Sequence, residues 1–241
     1  MRWGMVIDLD RCINCQACMV ACAAENNMNL GNPEDAAADR IMRWLQFLPE
    51  IEGEYPNVTA KLTPMMCQHC EDPPCTFVCP VSATYRIPDG IIAQIYWRCI
   101  GCRFCVNACP YTMKWYNWWR PEWPGESARS TNPDVSLRDM GVTEKCCFCS
   151  HRLQRAKEEA RSQGRSLRPG EYETACVGSC PTSALIFGDL DDEGSEVARK
   201  SRDPRAFHFL EELGTKPKVT YLKSRGGLGG MTLRENADGG D

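Results

Sequence analysis

Two short apolar runs, MVIDLD at 5–10 and IIAQIYW at 91–97, read as strands, and each leads directly into a cysteine-rich stretch. Two further starts, Thr84-Tyr85 and Leu185-Ile186-Phe187, follow the matching segments CPVSA (79–83) and CPTSA (180–184). Pro88-Asp89-Gly90 reads as the turn of a hairpin. Charged residues interspersed through FCSHRLQRAKEEARSQG (148–164) predict an exposed helix. PRAFHFLEELG (204–214) predicts a short amphipathic helix stopped at glycine. The Gly-, Arg- and Asp-rich end of the chain, 222–241, is expected to be a flexible tail or to lie along a partner.

The most apolar run, IIAQIYW, is far shorter than the ~20 residues a membrane-spanning helix needs. No apolar segment precedes Cys12, so export is expected to depend on a partner that carries the signal. Hydrophobic content is an ordinary 43%, and a net charge of −4 gives no sign of nucleic-acid binding. Gly (19) and Pro (16) favour loops over long regular elements. What changes the picture is cysteine, with 17 in 241 residues.

These fall into four groups. The first is Cys12, Cys15, Cys18 and Cys22; the second is Cys67, Cys70, Cys75 and Cys79; the third is Cys99, Cys102, Cys105 and Cys109. The fourth is split into Cys146 and Cys149, then Cys176 and Cys180, leaving Cys147 over. Prolines 80, 110 and 181 stand directly behind the last cysteine of groups two, three and four. An odd total and such close spacing argue against disulfides. Structural zinc needs paired C-x-x-C motifs and has no use for a third cysteine three residues on. Cysteines at i, i+3 and i+6 suit a loop wrapped around one face of an iron–sulfur cubane, with the fourth reaching a neighbouring cubane. Four groups then imply four [4Fe–4S] clusters.

RCINCQACMVAC (11–22) and RCIGCRFCVNAC (98–109) align without gaps, so groups one and three correspond, as do two and four. The expected fold is α+β, with two bacterial-ferredoxin-like, two-cluster modules related by internal duplication. A central module would occupy 60–124, including a Trp-rich loop, and an outer module would join 1–59 to 125–221.

GMVIDLDRCINCQACMVAC, CQHCEDPPCTFVCP, DGIIAQIYWRCIGCRFCVNACPY, KCCFC and ACVGSCPTSA together resemble the four-cluster iron–sulfur subunits of dimethyl sulfoxide reductase- and polysulfide reductase-type molybdopterin oxidoreductases. The resemblance covers about residues 1–220. It implies one cluster on Cys12, Cys15, Cys18 and Cys180, nearest a catalytic subunit, and a second on Cys146, Cys149, Cys176 and Cys22. A third is implied on Cys67, Cys70, Cys75 and Cys109, and a fourth, nearest the membrane partner, on Cys99, Cys102, Cys105 and Cys79. The implied role is electron transfer without catalysis, between a molybdopterin-type catalytic subunit and a polytopic quinone-binding membrane subunit. A multihaem cytochrome is a third candidate partner. The expected location is a peripheral membrane complex on the periplasmic face, the cytoplasmic face remaining the alternative. A formate dehydrogenase or hydrogenase subunit is the nearest competing reading, although such relatives often add a C-terminal membrane helix. A zinc-stapled scaffold is the competitor from another class.

Arg11, Arg98 and Lys145 each precede the first cysteine of a group and Arg103 lies within one, so all four are candidates for tuning cluster potentials. Trp115, Trp118, Trp119 and Trp123 either cover the third cluster or, the favoured reading, dock the membrane subunit. Cys147 is read as a small buried non-ligand, and His69 as packing or donating to sulfur. His151 and His208 carry no signal, and there is no phosphate loop or nucleophile–base pair.

Overall fold

The computed structural model describes residues 1–28, 31–123, 125–225 and 230–233. Its first half runs β1 (Trp3–Asp8), α1 (Ala17–Glu25), α2 (Pro33–Ala37), β2 (Leu45–Glu54), β3 (Asn57–Met66), α3 (Pro74–Phe77), β4 (Thr84–Arg86), β5 (Ile92–Gln94) and α4 (Phe104–Asn107). Then follow β6 (Trp115–Tyr116), β7 (Thr143–Glu144), α5 (Ser150–Ser162), α6 (Ala175–Gly178), β8 (Leu185–Asp189), α7 (Glu196–Ser201), β9 (Ala206–Phe207), β10 (Val219–Leu222) and β11 (Gly230–Leu233). The mixture is α+β.

All six residues of β1 are buried. The strand lies antiparallel to β8 and parallel to β10, and β9 closes the far edge. Covered flanks explain a run that is apolar almost throughout. Its polar member, Asp8, is buried and takes both oxygens to Arg205 at 3.2 Å. The second antiparallel pair is the expected hairpin, β4 with β5, closed by Ile87 N–H to Ile91 O and by Gly90 at φ 78°. The two pairs are laid out alike. β1 and β5 lead toward groups one and three, while β4 and β8 each follow a Cys-Pro-x-Ser-Ala turn. Antiparallel pairing therefore sets each three-cysteine loop beside a Cys-Pro cysteine from elsewhere in the chain.

The expected module boundary at 59/60 lies within a hairpin, β3 pairing along its whole length with β2. That hairpin is buried at its base, at Leu45, Met65 and Met66, and exposed at its Glu-bearing tip. Residues 204–214 form no α-helix. Ala206 and Phe207 pair with β10, Leu210 turns left-handed at φ 51°, and only Glu211–Leu213 coils, as a single 3₁₀ turn. Phe207 and Phe209 instead pack on Tyr221, with ring centroids 5.7 and 4.7 Å away. Nor does the 222–241 segment begin as a flexible tail: Leu222 is buried in β10, and Gly230–Leu233 pairs with β3. Residues 226–229 and 234–241 lie outside the described residues. The helix expected over 148–164 is α5.

The stretch before β7 is tied to the end of α1. Asn27 donates to Asn132 O and Val135 O at 2.9 and 2.8 Å, and Arg138 pairs with buried Glu144 at 2.8 Å. β6 joins β7 and so links the Trp-rich segment to this insertion. The centre of the molecule is aromatic, with Trp3, Phe148 and Tyr172 all packed around Phe187.

Candidate metal centres

The first C-x-x-C of each group is built the same way. The residue before its second cysteine is left-handed in all four: Asn14 (φ 57°), His69 (45°), Gly101 (70°) and Phe148 (51°). After each Cys-Pro the same conformation returns two residues on, at Ser82 (50°), Thr112 (55°) and Ser183 (48°). These reversals turn backbone N–H groups toward sulfur. Ala83 N–H donates to Cys79 Sγ at 3.1 Å and Ala184 N–H to Cys180 Sγ at 3.2 Å. Phe148 N–H reaches Cys146 Sγ at 3.4 Å, and Thr143 N–H reaches Cys99 Sγ at 3.4 Å. Cys22 has no proline behind it and stays within α1, where the Asn26 side-chain amide donates to its sulfur at 3.7 Å.

Cysteines distant in sequence converge on shared cavities. Cys12, Cys15, Cys18 and Cys180 line one. Cys22, Cys146, Cys149 and Cys176 line another, with Cys147 beside them. Cys67, Cys70, Cys75 and Cys109 line a third. The remaining set is more open: Cys105 is buried, Cys79 and Cys99 are half-buried, and Cys102 is exposed. Helices α3 and α4 meet here, and Cys75 and Cys105 share an apolar cluster with Ile92.

The donor set suits a bulky multi-iron group. Four thiols line each of three cavities, as a group with several irons requires. Burial, with neighbouring Cys176 and Cys12, pushes the Cys18 thiol up to about 12. Burial and the Cys67 sulfur push Cys70 up to about 12. Burial also drives Cys22 and Cys146 well above the ordinary thiol range. Such sulfurs become thiolates only against a strong positive charge, and bound iron supplies one. Cys79 and Cys180 differ. Burial pushes them up, but backbone N–H groups outweigh it and bring both below the ordinary value.

The expected tuning cations separate in space. Arg11, Arg98 and Arg103 are exposed. Arg98 stacks on Trp97 at 5.0 Å, and Arg103 on Tyr116 and Trp118 at 5.3 and 5.1 Å. Lys145 is buried, donates to Ile92 O and Cys146 O, and lines the Cys67 cavity. Lys114, which drew no notice in the sequence, lines the same cavity; its one signal was being a lone cation within an aromatic run. Trp115 lies in β6, Trp118 is exposed, and Trp119 and Trp123 are half-buried. His69 is buried, stacks on Phe148 at 3.7 Å and accepts from Ile92 N–H through Nδ1 at 3.2 Å. His151 binds Glu25 at 2.7 Å and His208 binds Thr220 at 3.1 Å. Cys147 is half-buried; burial raises its thiol, and hydrogen bonds to His151 and Ser150 reverse the shift.

Among the described residues only two cysteines are exposed, Cys15 and Cys102. Exposed apolar side chains lie near each in the chain. Ile13 and Val20 flank Cys15 in the chain, while Trp97 (82%), Ile100 and Phe104 flank Cys102, with Phe77 (81%) on α3.

A 4Fe-4S dicluster domain model matches residues 58–123, and a 4Fe-4S binding domain model matches residues 3–24. The chain is 44% identical to the menaquinone reductase iron–sulfur cluster-binding subunit of Nitratidesulfovibrio vulgaris, over 93% of this chain and 90% of that one. It is 36% identical to a subunit of the selenate reductase of Mesobacillus selenatarsenatis, over 92% and 72% of the two chains. Identity to the arsenate respiratory reductase iron–sulfur subunit of a Shewanella species is 34%, over 94% and 98%.

Proposed function

The chain belongs to the ferredoxin-type iron–sulfur subunits of molybdopterin oxidoreductase complexes, and from that premise we propose which cysteines hold its clusters and which partner meets each end. It carries four [4Fe–4S] clusters and serves electron transfer between a catalytic and a quinone-reactive subunit. The clusters, when bound, supply one-electron acceptors. The protein's part is to hold them close, dry and fixed in orientation.

The ligand sets are Cys12, Cys15, Cys18 and Cys180; Cys22, Cys146, Cys149 and Cys176; Cys67, Cys70, Cys75 and Cys109; and Cys79, Cys99, Cys102 and Cys105. Cavities shared by the first three sets support this reading, and the exchange of one cysteine between neighbours supports a duplicated ferredoxin-like module. The observation that carries the electron path is its pair of exposed ends, Cys15 and Cys102, the other cysteines being buried or half-buried. The Cys15 end meets a molybdopterin-type catalytic subunit. The Cys102 end, with exposed apolar residues near it in the chain, meets a polytopic membrane subunit that reacts with quinone, a reading favoured by the relative named for menaquinone reduction. Among the described residues no helix is long and apolar enough to cross a membrane. The complex is read as lying on the periplasmic face, bound to that partner.

Anaerobic purification of the tagged chain tests this reading. The expected result is four irons and four sulfides for each of four clusters, together with co-purifying molybdopterin and membrane subunits. A colourless, zinc-bearing protein, or an iron content well short of four cubanes, overturns the ligand assignment.

A further inference from the structure

The described residues contain three buried lysines, Lys114, Lys145 and Lys218. None forms an ion pair with a carboxylate among those residues, and their ammonium groups reach only neutral oxygens. Lys114 donates to Thr84 Oγ1 at 2.7 Å and to Gln94 Oε1 at 3.0 Å. Lys145 donates to Ile92 O and to Cys146 O, the latter at 2.8 Å, and Lys218 donates to Gly90 O. A cation taken out of water without a counter-charge is strongly disfavoured, so an anionic group must stand near it.

Two of them face the same quartet. Lys114 and Lys145 line the cavity of Cys67, Cys70, Cys75 and Cys109. The charge of Lys114 acts on Cys75, Cys67 and Cys109 and that of Lys145 on Cys75, whereas Lys218 has Glu71 as its foremost opposite charge. Lys114 also faces Cys105 and Cys79, and so stands at the junction with the neighbouring quartet. By contrast, no lysine or arginine lines the cavity of Cys12 or that of Cys22.

Resting on the ligand sets above, we propose that Lys114 and Lys145 form a buried cationic cage that gives the cluster of Cys67, Cys70, Cys75 and Cys109 the highest reduction potential of the four. A cubane held by four thiolates is anionic, and its reduction adds one more negative charge. Fixed ammonium groups in a dry site stabilise the reduced form more than the oxidised one. The cage makes this cluster the place where an arriving electron rests, between two less reducible neighbours.

EPR-monitored redox titration of the cluster-loaded full chain tests the cage. Lys114→Met and Lys145→Met should each lower the midpoint of one and the same cluster, and Lys114→Arg and Lys145→Arg should restore it. The signal of the Cys12 quartet should stay at its wild-type midpoint in every variant, and that of the Cys22 quartet in the Lys114 variants. Independently of any lysine variant, Cys75→Ser should abolish or alter the signal that has the highest midpoint in the wild type. If the methionine variants lose iron, that second comparison decides. Unchanged midpoints in iron-replete variants, an equal shift of every signal, or loss of a lower-potential signal in Cys75→Ser would overturn the proposal. A wild-type chain with fewer than four cubanes fails the ligand reading instead, so the two failures are distinct.

Discussion

Arg138 and Glu144 meet at 2.8 Å with both side chains almost wholly out of water. The guanidinium also donates to Ser136 O and Asn27 O and lies 5.1 Å from the Trp44 ring. Removing one partner leaves a buried charge uncompensated, so Glu144→Gln or Arg138→Met should cost about 3–5 kcal/mol in denaturant titration. Replacing both by apolar residues of similar volume should recover most of that loss. Glu25 behaves differently because its partner Arg152 is partly exposed, with Nε and Nη2 at 2.5 and 2.7 Å from its oxygens. The Arg152 hydrogen bonds, against burial and with help from His151, hold Glu25 down at about 2. A carboxyl whose folded value lies below its unfolded one adds stability that is complete above about 4.5 and fades as pH falls toward 2. Discounted for solvent screening, that is about 1 kcal/mol. The stability gap between wild type and Glu25→Gln should therefore be present at pH 7 and shrink steadily below pH 4.5.

At the scale of the element, the four C-x-x-C loops share one backbone path but tolerate side chains differently. A Cβ at Gly101 would stand 2.4 Å from Gly141 O, and φ there is 70°. Asn14, at the equivalent place, carries its side chain without such an approach and takes a contact from Cys12 Sγ at 3.5 Å. Gly101→Ala should thus cost about 1–3 kcal/mol by thermal unfolding and loosen the Cys99–Cys102 loop, which iron loss would register. The loops, the β4–β5 hairpin and α5 were legible in the sequence because each is fixed locally, by cysteine spacing, Pro-Asp-Gly or alternating charge. Residues 204–214 were not, since an open edge on β10 and the Tyr221 ring outcompeted a helical period that local residues alone would favour. The β2–β3 hairpin was missed where a module boundary was expected, because its strand pairing spans both sides of that boundary. The cationic cage was equally hidden. Lys145 stood next to a cysteine and could be suspected, but Lys114 joins it only where the fold brings the segment after Cys109 to the Cys67 cavity.

Across the whole molecule, exposure is distributed in a way that folding alone does not explain. Trp97, Ile100 and Phe104, close to Cys102 in the chain, and Phe77 on α3 lie in solvent, although side chains of this size favour burial. Exposed apolar residues of this kind are suited to a surface that another chain covers, where a few aromatic residues usually carry most of the binding energy. Ile13 and Val20, near Cys15 in the chain, are a smaller counterpart close to the other exposed thiol. If the two ends serve two partners, damage at one must spare the other. Trp97→Glu combined with Phe104→Glu should weaken membrane-subunit binding by about 2 kcal/mol or more per hot-spot residue, enough to lose that partner on purification. The catalytic subunit and the full iron content should remain. Val20→Glu should give the opposite pattern. Quantifying each partner against the bait in anaerobic pull-downs measures both. Retention of both partners by the double variant, or their joint loss with iron intact, would refute a chain that hands electrons from one end to the other.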